Sequence, residues 1–291
     1  MTTPFIDVVL PTRNRANLLR RALESLLEQQ YPVERFAIII VDDGSTDETW
    51  NLLQNAGDAR VRPLRIEHRG PYTARNEGWR AGSGDIVAFI DDDCVANPNW
   101  LSAIAQGFAR SEVLGLQGRT LTLPALQTPL THQVVVSSLN TRYETCNIAY
   151  RRDILTSVGG FAPDLYYTAD TLLGVAVSAL GTIAFAPDMI VIHPPRPRHF
   201  LGRQEWTRWL TGAWLLHSRY PEFFRRERAS HFLLLVLWRW GLLVPAKNIL
   251  ENTPWILRNP RLFLKFLFCL AQERVSLLAA VPGFWRKSRS A

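Results

Sequence analysis

The chain predicts an α/β fold built on a doubly wound, mostly parallel sheet, followed by a basic helical extension. Three observations carry that expectation. Apolar runs of strand length alternate with helical segments through the first 95 residues. Phe36-Ala37-Ile38-Ile39-Ile40-Val41 is apolar without interruption, as a parallel strand covered on both faces requires. Charge then divides the chain: residues 1–194 carry 16 Lys+Arg against 21 Asp+Glu, and residues 195–291 carry 17 against 5.

In order, residues 5–10 read as a first strand, stopped by Pro11. A helix follows, with Leu18/Leu19, Ala22/Leu23 and Leu26/Leu27 on one face and Arg20, Arg21, Glu24 and Glu28 on the other. Tyr31-Pro32 ends it. The second strand is residues 36–41, and Asp42-Asp43-Gly44 turns the chain. Ser45-Thr46-Asp47-Glu48 reads as a capping box opening a second helix. Residues 61–67 form a third strand, 71–81 a helix, and 85–90 a fourth strand. A helix then runs from Asn97 to about Ala109, and residues 113–145 read as irregular strands and loops. Residues 152–158 and 169–180 are further helices, stopped by Gly159-Gly160 and Gly181. Residues 183–192 read as an edge strand carrying Pro187, and 193–199 as a linker.

With 291 residues, the chain fits one large domain plus an appendage. Cys94, Cys146 and Cys269 are too scattered for a disulfide framework or a zinc site, so a reducing compartment is the default. The N-terminus lacks the basic and apolar regions of a signal peptide, so the body is expected in the cytoplasm. The basic C-terminal third, rich in Trp, Phe and Leu, suits a membrane surface better than nucleic acid. Its apolar runs, 232–244, 262–270 and 276–285, each fall short of the ~20 residues of a spanning helix. Interfacial helices are therefore expected through 230–290, peripheral on the inner face of the cell membrane; packing against the catalytic part or a second subunit is the other reading.

Ligands on such sheets bind at the carboxyl ends of the strands. Pro11-Thr12-Arg13, Asp42-Asp43 and Asp91-Asp92-Asp93 all fall there. Three adjacent carboxylates repel one another unless a cation neutralises them. A Mg²⁺ or Mn²⁺ ion shared with a diphosphate would do so.

Six blocks in order give the chain a resemblance to the family 2 glycosyltransferases. They are residues 9–15 (VLPTRNR), 40–47 (IVDDGSTD), 74–78 (ARNEG), 89–93 (FIDDD), 147–152 (NIAYRR) with Gly159-Gly160-Phe161, and Ala169-Asp170 followed by Val191-Ile192-His193. The resemblance covers roughly residues 5–220. It implies the GT-A fold, a Rossmann-like sheet, and inverting transfer from a nucleoside-diphosphate sugar. The catalytic domain is expected over 1–194, with the nucleotide-sugar part at about 1–95 and the acceptor part at 96–194; 195–291 is the helical extension.

Asp42 is placed to accept from a base N–H, with Asp43 or the Pro11-Thr12-Arg13 backbone holding base or ribose. Arg75 offers a planar fork to base or diphosphate, while Asn76 is expected to fix backbone. Asp91 and Asp93 match the DxD signature: Asp93 as metal ligand, Asp91 toward ribose or metal-bound water. Asp92 is grouped with the nucleotide-sugar residues but is expected to stand by. His193 matches a position that adds a metal or diphosphate ligand. Asp170 matches the catalytic base, with Glu144 in reserve; as the first residue of its helix it also serves as a cap. The chain departs from the pattern at Ala169 and Leu172, where acids are usual. That departure motivates the alternative of a catalytically impaired, membrane-bound binding module. Gln204-Glu205-Trp206-Thr207-Arg208-Trp209 resembles the QxxRW motif of processive members with one residue too many. A nucleotidyltransferase would need a Gly-rich loop where Pro11–Arg15 stand.

Overall fold

The computed structural model describes residues 3–165, 167–219 and 229–288. It divides into two compact units. The first comprises Met1–Pro124, Gln133–Asp164 and Ala169–Pro194; the second comprises Ala125–His132, Leu165–Thr168 and Pro195–Ala291.

The first unit is built on an eight-stranded mixed sheet. Its strands are β1 (Ile6–Thr12), β2 (Phe36–Asp43), β3 (Val61–Ile66), β4 (Ile86–Ile90), β5 (Val95–Ala96), β6 (Val113–Leu121), β8 (Asn147–Arg151) and β9 (Thr182–Ile192). The order is β3-β2-β1-β4-β8-β6-β9-β5. β1 pairs in parallel with β2 and β4, and β2 with β3. β8 inverts the direction by pairing antiparallel to both β4 and β6. Every residue of β1 and β2 is buried, as the unbroken apolar run Phe36–Val41 of β2 demands. The helices are α1 (Ala16–Leu27), α2 (Thr49–Gln54), α3 (Pro71–Ala81), α4 (Trp100–Gly107), α5 (Arg152–Val158) and α6 (Ala169–Leu180).

Several expectations are corrected. β1 runs through Pro11, which sits opposite Val41, and ends at Thr12. The capping box does not form: α2 starts at Thr49, whose N–H donates to Asp47 at 2.9 Å, while the Ser45 N–H donates to Asp42 at 3.0 Å. Within 113–145 lies β6, a nine-residue strand. It is glycine-rich because its neighbours come close. A Cβ at Gly118 would strike the Asn147 amide and the Met189 carbonyl. That amide donates to the Arg119 and Met189 carbonyls and accepts from the Trp100 indole at 2.8 Å, tying β6, β8 and β9 together. β9 is not the edge strand, since β5 lies outside it.

In the second unit, β7 (Thr131–His132) pairs antiparallel with β10 (Arg196–Pro197), so part of the expected linker 193–199 is strand. The helices are α7 (Arg203–Arg219), α8 (Ala229–Val236), α9 (Val244–Asn252), α10 (Trp255–Arg258) and α11 (Pro260–Ser288), with a π-helical segment over Leu237–Leu243. Their core gathers Trp206, Leu210, Phe232, Leu277 and Phe284. Pro245 does not stop the helix. The Val244 N–H donates to the Arg239 carbonyl, a five-residue spacing. In that spacing the absent Pro245 N–H would leave the Trp240 carbonyl without a donor, and the Arg274 guanidinium donates to it instead. The expectation of no run of spanning length is corrected accordingly. Phe232–Asn252 is 21 residues long and apolar enough to cross a membrane by length and composition, and 17% of its apolar window is buried. The runs 262–270 and 276–285 likewise belong to one 29-residue helix that continues through Pro282. The stretch 230–290 is covered as far as residue 288; 289 and 290 lie outside the described residues.

Candidate functional site

The register of β1 and β2 sets Thr12 beside Asp42 at the carboxyl end of the sheet. Asp42 is fully buried; one oxygen accepts from Ser45, and the other, 3.4 Å from Arg65 Nε, has no hydrogen-bond partner. A buried oxygen with spare capacity is costly alone and ready to accept a ligand N–H. Asp43 is occupied differently. It accepts the Arg69 N–H at 2.8 Å, the Gly70 N–H at 3.0 Å and His68 Nδ1 at 2.8 Å. Arg13 donates to His68 Nε2 at 3.1 Å, so Nδ1 carries the ring proton toward Asp43. Asp43 thus fixes the loop that leads into α3.

The acidic triplet separates into three environments. Asp91 pairs with Arg75 at 2.6 Å. Asp92 accepts from the Thr12 hydroxyl and from Arg15 Nη1, both at 2.8 Å, and so ties the end of β1 to the end of β4. Burial pushes the Asp92 carboxyl up, against Arg15 and Thr12, which pull it down. Asp93 faces His193 Nε2 at 3.8 Å, delivered by the pairing of β5 with β9.

That last pair fits a cation. His193 Nδ1 lies 2.9 Å from the Pro194 carbonyl, and Nε2 is buried without a hydrogen-bond partner. A proton on Nδ1 turns the Nε2 lone pair toward the Asp93 carboxylate. Asp93 Oδ2 already lies 3.6 Å from Arg15 Nη1. Its other oxygen faces Nε2 across 3.8 Å, a spacing that a positive ion would bridge, and a backbone carbonyl on the far ring nitrogen is the usual support of a metal-bound histidine. Asp93, Cys94 and His193 offer ligand atoms within 4.8 Å of one another. Burial raises the Cys94 thiol, which keeps it protonated, so oxygen and imidazole remain as ligands for Mn²⁺ or Mg²⁺. Asp91, expected among the metal ligands, falls outside this cluster and engages Arg75.

Arg75 is buried on α3, with its Nε unpartnered and its guanidinium 5.6 Å from the Tyr72 ring. Tyr72 stacks on Phe161 at 5.6 Å. Asn76 fixes that turn: it donates to the Phe161 carbonyl at 2.8 Å and accepts the Phe161 N–H at 3.0 Å. Gly160 is required there twice over, by φ +78° and by Asn76 Oδ1 lying 2.6 Å from where a Cβ would stand.

Asp170 opens α6 and lies in the field of Arg75, Tyr72 and Glu144. Burial raises its pKa to about 7; the Thr171 N–H and Arg75 oppose the rise and Glu144 adds to it. Glu144 accepts from Gln117 Nε2 at 3.0 Å and pairs with Arg142 at 2.8 Å. Ala169 and Leu172, at the positions usually acidic, are buried in α6 packing.

Arg15, His68, Tyr72 and Cys94 join the site without having been singled out in sequence. Arg15 lies inside the VLPTRNR block. The others carried no local signal: His68 meets Asp43 and Arg13, 25 and 55 positions away, Tyr72 stacks on Phe161, 89 away, and Cys94 lies by His193, 99 away.

The sequence model of glycosyl transferase family 2 matches residues 7–158. Glycosyltransferase AglE of Haloferax volcanii is 30% identical over 209 residues, which is 67% of this chain and 69% of that protein. Among solved structures, the Pyrobaculum calidifontis mannosyltransferase PcManGT, in complex with GDP-Man and Mn²⁺, superposes with a TM-score of 0.61 at 18% identity, covering 99% of this chain and 89% of that one. S. aureus TarS 1–349 in complex with UDP-GlcNAc gives 0.65 at 15% identity, covering 98% and 91%. Some matches are partial: the Nostoc glycosyltransferase alr2836 is 32% identical over 171 residues, 53% of this chain and 52% of that protein.

Proposed function

The chain belongs to glycosyl transferase family 2, and from that premise we propose a metal-dependent, inverting transfer of a sugar from a nucleoside-diphosphate sugar to an acceptor hydroxyl. A UDP-sugar is the first donor to test. A lipid-linked or polysaccharide precursor is the acceptor class, which fits enzyme action at the inner face of the cell membrane through the helices of 230–290. The observation that carries the reading is the pairing of unused capacity with a poised base. The Asp42 oxygen, Arg75 Nε and His193 Nε2 are buried without hydrogen-bond partners, and Asp170 titrates near neutrality in the same unit.

Asp42 accepts from the base. Arg75, released in part from Asp91, donates its planar fork to the diphosphate. Asp93 and His193 would hold a divalent ion, which would supply positive charge to offset that of the departing nucleoside diphosphate. Asp170, as carboxylate, takes the acceptor proton while the hydroxyl oxygen attacks the anomeric carbon from the side opposite the leaving group. Single displacement inverts that carbon.

The test is a melting-temperature screen of UDP-, GDP- and dTDP-sugars with and without Mn²⁺. We expect a metal-dependent shift that Asp93→Ala removes. A shift of full size in that variant would sink the metal assignment.

A further inference from the structure

We propose that the C-terminal unit carries an anion site of its own, taking the phosphate or diphosphate head of a lipid-borne ligand in the cavity between α7 and α11. The cavity measures about 610 Å³ and is lined by Arg203, Gln204, Thr207, Arg208, Gly283 and Arg286. That volume is in the range of small-molecule sites. Among the described residues that line it, Arg203, Arg208 and Arg286 are basic and none is acidic. Glu205, the acid nearest in sequence, is engaged elsewhere: its carboxylate accepts from the Gly202 N–H at 2.8 Å, the Tyr167 hydroxyl at 2.8 Å and the His199 ring at 2.7 Å. Guanidinium groups gathered in a concave site match phosphate oxygens in pairs.

The cavity wall is set by close backbone packing. A Cβ at Gly283 would stand 3.0 Å from the Thr207 side chain. The Thr207 hydroxyl donates to the Arg203 carbonyl at 3.0 Å, holding the side chain against its own helix.

The lipid part of the proposal rests on α11. Leu264, Phe268, Val275 and Leu278 are exposed by 62–67%. Their spacings of four, seven and three residues put them on one helical face, and eight residues further that face reaches Arg286. The stripe from Leu264 to Arg286 is about 33 Å long at ~1.5 Å per residue. An apolar stripe that ends at a basic cavity has the polarity of a hydrocarbon chain with a phosphate at its end. Soluble phosphate shares the head-group chemistry but makes no use of the stripe. None of these residues belongs to the site in the first unit, so binding here does not depend on the transfer reaction.

The experiment uses the full chain, metal-free with EDTA, and a double variant, Arg203→Gln with Arg286→Gln. Both positions are exposed, and each single variant serves as a fallback should the pair melt early. Inorganic pyrophosphate is titrated by calorimetry. Cosedimentation is measured with zwitterionic vesicles doped with a long-chain isoprenyl phosphate, or with phosphatidylglycerol at equal charge. UDP binding with Mn²⁺ is followed in parallel, so that failure of the donor site reads separately. We expect pyrophosphate to bind at least tenfold more weakly to the variant. We also expect isoprenyl-phosphate vesicles to be preferred over phosphatidylglycerol by wild type only. Pyrophosphate loss without vesicle preference overturns the lipid assignment and leaves a soluble-phosphate site. Equal binding of both probes by wild type and variant overturns the site.

Discussion

Two arginine–aspartate pairs of the same 2.6 Å length stand at opposite ends of one sheet. At the amino end, Arg152 meets Asp7. Its remaining nitrogens are engaged too: Nε donates to the Gly84 carbonyl and Nη1 to the Trp79 carbonyl, both at 2.5 Å. The Gly84 N–H donates to the same Asp7 oxygen, and a Cβ at Gly82 would strike that carboxylate. At the carboxyl end, Arg75 meets Asp91 but keeps a buried Nε without a hydrogen-bond partner, and His193 Nε2 is in the same condition. Ion pairing alone therefore does not distinguish structure from function. What differs is whether the backbone has consumed the donors. Every nitrogen of the Arg152 guanidinium is engaged, although Asp7 Oδ1 is buried without a hydrogen-bond partner; the Arg75 guanidinium retains a donor that a ligand can use.

The largest effect that can break this contrast is on rate. Asp170→Asn removes the carboxylate proposed as the base and should lower kcat by roughly 10²–10⁴ with no loss of melting temperature. A loss below tenfold would move the reaction away from the carboxyl end of the sheet. Next comes Arg152→Ala, which leaves the Asp7 carboxylate buried without its partner. Unfolding in urea should show a loss of about 3–5 kcal/mol, with KM for the donor unchanged. Arg75→Ala should behave in the opposite sense. Asp91 is partly exposed and can be solvated, so the stability cost should be about 1 kcal/mol. Donor affinity, read by titration of the nucleoside diphosphate, should fall by roughly 10–100-fold, as expected for lost charge-assisted hydrogen bonds. Equal stability losses in the two arginine variants would erase the distinction.

The same contrast explains what was legible in the sequence. Strands β2 and β4 could be read because buried parallel strands leave continuous apolar runs, and α3, α5 and α6 because Pro, Gly and periodicity mark their ends. β6 and β8 could not, since glycines at Gly115 and Gly118 imitate a loop while their real cause is the nearness of Tyr150 and Asn147. The continuity of the helix through Pro245 was hidden for a related reason: the donor that replaces the missing N–H is Arg274, 29 positions on. The triplet and Asp170 stood out as motifs. Their division of labour did not, because it depends on Arg15, Arg75 and His193 arriving from three other elements. Arg152 was read only as part of a motif block; nothing local shows that its partner is Asp7, 145 positions away.

The smallest expected effect tests the ionisation of Asp170 itself. Its pKa is raised to about 7 by burial, from an ordinary carboxylate value near 4. Below pH 4 the carboxyl is protonated in folded and unfolded chains alike, and the shift changes nothing. Between about 4 and 7 the folded chain binds the extra proton, so stability must fall as pH rises through that window and level off above it. Water reaching the half-buried side chain reduces the loss to something on the order of 1–2 kcal/mol. Asp170→Asn has no such window. Urea midpoints of wild type and variant should therefore agree at pH 4 and separate by pH 8, with the variant the more stable. Activity runs the other way: kcat/KM of the wild type should climb as pH rises through about 7, because only the carboxylate takes the acceptor proton. One group that stabilises the fold when protonated and works when ionised would set the carboxyl end of the sheet apart from the Arg152–Asp7 end on both readouts.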